Sequence, residues 1–142
     1  MQRDKFTLAA EWRATARENE RIATMLVEES PATAAFLAQQ SAEKALKAAC
    51  IVVGEDAPRT HVVNHLLDEL ASNGIVVDDV VRSAARLLER FYAPTRYPDA
   101  LGGIDPNRVF VASDARAAVV ALTRVVEFVD ELIARIGRST KP

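Results

Sequence analysis

The sequence predicts an all-α fold: an up-and-down four-helix bundle with an additional short helix and a long ordered loop before the last helix. Three observations carry this. Apolar residues recur at threes and fours through most of the chain, the spacing of one helix face. Prolines and glycines fall between these stretches, where helices start and stop. The final stretch, about 114–136, bears the clearest stripe: Val119, Leu122, Val125, Val126, Val129, Leu132, Ile133 and Ile136. It is rich in β-branched residues, but it is too long for a strand and its period is helical.

The first helix is expected over 4–29, with Leu8, Trp12, Ala16, Asn19, Ile22 and Leu26 on one face. Ser30-Pro31 ends it, because the residue before a proline resists helical backbone angles. A second helix follows over about 32–53 and Gly54 closes it. Thr60 caps a shorter third helix, about 61–72, stopped by Asn73-Gly74. Asp78 or Asp79 caps a fourth, about 79–91, with Val80, Val81, Ala84, Leu87, Leu88 and Phe91 facing inward. Ser113 or Asp114 caps the last, and Gly137 ends it. Val120 and Phe128 lie off the main stripe of that helix, which marks a central helix or one that also meets a second subunit. The segment IVVDD, 75–79, has strand character and no credible partner strand.

The remaining loop, about 92–112, is longer than the ~2–8 residues usual between bundle helices. It opens with YAPTRYPDA and contains Tyr92, Tyr97, Leu101, Ile104, Val109 and Phe110, side chains that favour packing. An ordered excursion over the bundle is expected, with a turn at Asp105-Pro106-Asn107.

With 142 residues, 49% of them hydrophobic and 27% charged, the chain suits a single domain over 1–142 with a full core. The net charge of −2 does not indicate a strongly basic nucleic-acid binder. One cysteine, Cys50, rules out a disulfide framework within the chain and fits a reducing compartment. The start, MQRDKFTLAAEW, lacks the apolar core of a signal peptide, and no apolar run approaches the ~18 residues of a membrane span. A cytoplasmic protein without membrane attachment is expected.

Polar residues interrupt the pattern in informative places. On the second helix Phe36, Gln39, Glu43, Leu46, Cys50 and Val53 share a face, with Gln40, Lys44 and Lys47 beside it. Either the polar strip is solvated or it is paired internally, for instance Glu43 with Lys47 at i, i+4. The small residues of this helix, Ala38, Ser41, Ala42, Ala45, Ala48 and Ala49, let a neighbouring backbone come close. His61 and His65 are four apart and can face one way on the third helix, but without a third histidine or a cysteine cluster no metal is expected. Arg59 and His65 form an R-x5-H spacing able to steady a phosphate and move a proton, the chemistry of metal-independent RNA cleavage. Arg13, Arg17 and Arg21, and again Arg82, Arg86 and Arg90, recur at fours as ridges that either track phosphates or are solvated beside acidic neighbours.

Taken together, FLAQQSAEKALKAACIVVGEDAPRTHVVNHLLDEL and the later RYPDA resemble the HEPN domain family, whose name stands for higher eukaryotes and prokaryotes nucleotide-binding. The matching positions are Gln40, Glu43, Lys44, Lys47 and Ala48, then Thr60 and His61, then Arg96, Tyr97, Pro98 and Asp99. The resemblance spans about residues 5–136. It implies a helical bundle, a homodimer, a nucleotide or RNA ligand without a further cofactor, and a minimal nucleotidyltransferase as partner, in some cases as a toxin–antitoxin pair. It implies a ligand site at Gln40, Glu43, Lys44, Lys47, His61, Arg96, Tyr97 and Asp99. There Arg96 meets Glu43 or an anion beside Lys44, Lys47 and His61, Tyr97 stacks a base, and Asp99 pairs with a lysine. The same residues could instead staple the loop to the bundle through a Glu43–Arg96 ion pair, leaving a structural dimer scaffold without ligand. Other members of the superfamily are metal-independent endoribonucleases with an R-x4-6-H motif. Arg59 to His65 is the one such spacing here, at the start of the short third helix, and no histidine follows it.

Overall fold

In the computed structural model, which describes residues 4–54, 56–95 and 97–140, four long or medium helices and two shorter ones pack into one bundle. They are α1 (Lys5–Leu26), α2 (Pro31–Gly54), α3 (Val63–Ser72), α4 (Asp79–Glu89), the single turn α5 (Pro106–Val109) and α6 (Ala112–Ser139). The described residues contain no strand: residues 75–78 are extended coil, with Ile75 and Val77 packed on the core. No helix is long and apolar enough to cross a membrane among the described residues.

Helix α2 is the centre of the bundle and touches α1, α3, α4, α5 and α6. Its alanines explain its place. Ala35, Ala38, Ala42, Ala45 and Ala49 are fully buried, as are Ala16 and Ala23 of α1. Ser41 Oγ donates to the backbone carbonyl of Ala16 at 2.7 Å, an approach that only small side chains on both helices permit. The buried face of α1 is therefore Ala9, Arg13, Ala16 and Ala23; of the expected stripe only Ala16 is buried, while Leu8, Trp12, Asn19, Ile22 and Leu26 lie half-buried on its flank. Larger apolar groups fill the opposite side of α2, where Leu46, Leu66, Leu67, Leu70, Leu88, Leu122, Val125 and Val129 form the main core.

Helix boundaries follow local chemistry. Pro31 opens α2, where its missing N–H costs no hydrogen bond. The Asp78 carboxylate accepts from Val81 N–H at 2.9 Å and caps α4. Gly74 takes φ 86 after α3, a conformation that favours glycine. Several expectations shift, and α1 already ends at Leu26 rather than at residue 29. Helix α3 begins at Val63, not at residue 61, because Thr60 Oγ1 accepts from Val62 N–H in a turn and Val62 stays extended. Helix α6 begins at Ala112, with the Asp114 carboxylate accepting from Val111 N–H at 2.9 Å from inside the first turn. It continues past Gly137 to Ser139. On α4, Val81, Ala84, Ala85 and Leu88 are buried, whereas Val80 is 57% exposed.

The described residues of the long loop contain two short elements, a 3-10 turn at Pro98–Leu101 and α5, whose start is capped by the Asp105 carboxylate accepting from Asn107 N–H. Phe110 packs edge-on against Phe91 at 5.7 Å and Pro106 is buried, so the far half of the loop is docked. Tyr97, Ile104 and Val109 remain between 41 and 49% exposed.

Cys50 lies in the core with Sγ directed at the Leu66 carbonyl, 3.8 Å away. Burial pushes its thiol up to about 12, reinforced by Glu69 and opposed by Lys47. The thiolate is therefore absent from the folded protein at pH 8, and a thiol-reactive chromophore will label Cys50 only on unfolding. A raised folded value means that its contribution to stability is intact below the unfolded thiol range. That contribution is lost as the pH rises through it towards the folded value. Stoichiometric labelling within minutes under native conditions at pH 8 would contradict this placement.

Candidate functional site

Gln39, Glu43 and Lys47 are spaced by fours on α2, so one line of the helix presents all three. All three are buried. The Glu43 carboxylate accepts from Lys47 Nζ at 3.2 Å, and His61 Nδ1 lies 3.2 Å from Oε1 and 3.3 Å from Oε2. Gln39 Nε2 donates to the His61 carbonyl at 3.3 Å, and Gln40 Nε2 donates to Gln39 Oε1 at 2.7 Å. Lys47 Nζ also lies 5.6 Å from the centre of the Trp12 ring, which adds a cation–π contact to a desolvated ammonium. Of the two alternatives the sequence left for this strip, internal pairing is therefore the one found.

His61 is the outward end of this network. Its side chain is 64% exposed while Glu43 behind it is 5% exposed. Its ring stacks on Tyr92 with centroids 5.7 Å apart and planes 14° from parallel. A nitrogen facing a carboxylate must carry the proton, so Nδ1 is the N–H. Nε2 is then an acceptor when the imidazole is neutral and a second donor when it is protonated. The arrangement holds an aromatic hydrogen-bonding group at the surface with its orientation fixed from behind.

The other predicted residues divide. His65 does not share a face with His61, which precedes α3; its Nδ1 lies 3.4 Å from Thr60 Oγ1. Arg59 and His65 are exposed, and no carboxylate holds the His65 ring among the described residues. Lys44 turns towards α1, where Nζ donates to Asn19 Oδ1 at 2.8 Å and the stem lines a groove with Glu11, Trp12 and Thr15. Tyr97 and Asp99 are exposed where the 3-10 turn begins, and Asp99 makes no ion pair among the described residues. Arg96, and with it the expected Glu43–Arg96 contact, lies outside the described residues. Among the described residues no three His, Cys, Asp or Glu side chains gather as a metal site.

Among the described residues, half of the six ridge arginines are paired within the chain. Arg13 is 6% exposed and clasps Asp130, with Nε to Oδ1 at 2.6 Å and Nη2 to Oδ2 at 3.0 Å. Arg21 pairs with Glu18, and Arg82 with Asp68 and the Asn64 carbonyl. Two partners went unread in the sequence. Tyr92 was seen as a packing residue, and Trp12 as a core residue; the signal for both was an aromatic at the border of a polar motif.

The central helix of this bundle buries a Gln39-Glu43-Lys47 line and meets His61 from the following turn. The chain belongs to the HEPN domain family, which matches residues 9–132. It is similar to the crystal structure of TT1696 from Thermus thermophilus, with 34% identity, TM-score 0.79, 87% of this chain and 97% of that one covered. It is also similar to ST0689, an archaeal HEPN homologue, with 26% identity, TM-score 0.74 and coverage of 94% and 99%. No curated protein matches the chain.

Proposed function

We propose that this chain is a homodimeric nucleotide- or RNA-binding module whose ligand seats against His61 and Tyr92. It works beside a minimal nucleotidyltransferase, as the toxin-like half of such a pair. The observation that carries the binding is the His61 ring, fixed by buried Glu43, stacked on Tyr92 and open to solvent. Paired aromatic rings at a surface extend readily to a third ring, and base stacking contributes ~1–3 kcal/mol per base. Nε2 adds a hydrogen bond to a phosphate or a base edge. Exposed Arg59, two residues before His61, supplies a cation near the same segment. The partner rests on membership of the family, many of whose members are encoded beside or fused to minimal nucleotidyltransferases, some of these pairs resembling toxin–antitoxin systems.

Fluorescence anisotropy with a labelled single-stranded RNA, competed by ATP, tests the reading. The wild type binds one or both. Tyr92→Leu and His61→Ala each weaken binding about tenfold or more, the loss of one stacked ring. A wild type that binds neither probe sinks the module. Unchanged affinity in both variants moves the ligand away from this edge.

A further inference from the structure

We propose that two copies of this chain meet through the groove between α4 and α6, with a two-fold axis running along it. This gives the homodimer of the reading above its surface, and it rests on that reading. The groove has a volume of about 610 Å³. Ala84 forms part of its floor, Leu87 is half-buried along it, and Val80 and Val120 stand on opposite walls, 57 and 58% exposed. Large apolar side chains facing one another across a groove in this way mark a surface that a partner covers.

The charges say which partner. Phe91, just past α4, packs on Phe110, just before α6, so the two helices run antiparallel. Asp79, at the start of α4, and Arg124, along α6, therefore share one end of the groove, on opposite walls. Neither makes an ion pair within the chain among the described residues. A two-fold axis along the groove exchanges the walls, laying α4 of one copy over α6 of the other. Asp79 then faces Arg124 of the partner subunit, and the reverse pair forms at the same time. Val80 and Val120 meet their counterparts in the same way. Self-complementarity under a two-fold is the condition for an isologous dimer, and nothing in an unrelated partner would require it.

Sedimentation velocity on the full chain at micromolar concentration tests this. The wild type runs at twice the 15.5 kDa chain mass, and Val120→Glu runs as a monomer. Val76→Glu, at an 85% exposed valine outside the groove, changes nothing. Asp79→Arg and Arg124→Asp each raise the dissociation constant about tenfold or more, by setting like charges face to face. The doubly reversed chain returns to within about threefold of the wild type, because the pairs only change sides. Arg124 is far from either end of α6, so its reversal carries no helix-terminus effect. A monomeric wild type overturns the homodimer itself. A dimer that ignores Val120→Glu and both reversals keeps the homodimer and overturns this surface. Failure of the double reversal to restore it overturns the axis. Nucleotide binding is read separately, so neither result is confused with a failure at His61.

Discussion

Glu43→Ala will be the most damaging single substitution in the polar interior, lowering stability by about 3–5 kcal/mol. The carboxylate and the ammonium it holds are 5 and 9% exposed, so removing one leaves the other without water and without a counter-charge. For a chain of this size the loss corresponds to a fall in melting temperature of about 10–15 °C. Lys47→Met will cost less, because His61 Nδ1 still gives the carboxylate a hydrogen-bond partner. The double variant Glu43→Leu/Lys47→Met will recover most of the stability, since buried ion pairs are often replaced by apolar groups at little cost. It will not recover ligand binding, because no carboxylate then holds the His61 ring from behind. Urea melts at low and high salt, with anisotropy on the same samples, separate the two roles. The cost should hardly change with salt, since a buried pair is poorly screened. Recovery of binding along with stability would make the network a staple only.

The outline of the bundle was legible because it depends on local signals. The α6 stripe, the Asp78 cap and the Asn73-Gly74 stop each act within a few residues of themselves. What was hidden depended on how close two backbones come. On α1 the leucine-bearing face looked like the core face. Alanines on both α1 and α2 let the helices pack so tightly that Ala9 and Ala23 joined Ala16 in the interior, and the large apolar residues of that face stayed at its edge. The Glu43–Lys47 pair was foreseeable from its spacing of four. The link from Glu43 to His61 was not, since 18 residues and a turn separate them and only the path of residues 58–62 brings them together. The T-H pattern looked like a helix start. In the folded chain Thr60 turns the backbone and His61 is left outside α3, free to reach α2. Val80 was read inward because it fits the stripe as well as Val81 does, and periodicity cannot choose between adjacent valines at its edge.

Arg13 shows the same limit from the other side. Spaced by fours with Arg17 and Arg21, it looked like part of a surface ridge, solvated or tracking phosphates, yet it also sits four after Ala9 and three before Ala16, on the small-residue face. Its side chain is 7% exposed and two of its guanidinium nitrogens are taken by Asp130, while Nη1 is buried without a hydrogen-bond partner. Asp130→Ala will therefore destabilise the protein by about 2–3 kcal/mol, below the full cost of breaking a buried pair because the Asp130 side chain is 45% exposed. Arg13→Met will cost less than Arg13→Ala, since methionine keeps apolar bulk where the arginine stem packs and leaves no charge behind. Apart from this clasp, α1 and α6 touch far less than α1 and α2 do. The loss should consequently be local: in hydrogen exchange, amides of α1 and of the second half of α6 will open more readily, while α3 and the centre of α2 keep their protection. Uniform loss across the bundle would mean that the clasp is part of one cooperative core, and a change below about 0.5 kcal/mol would make it an ordinary surface pair.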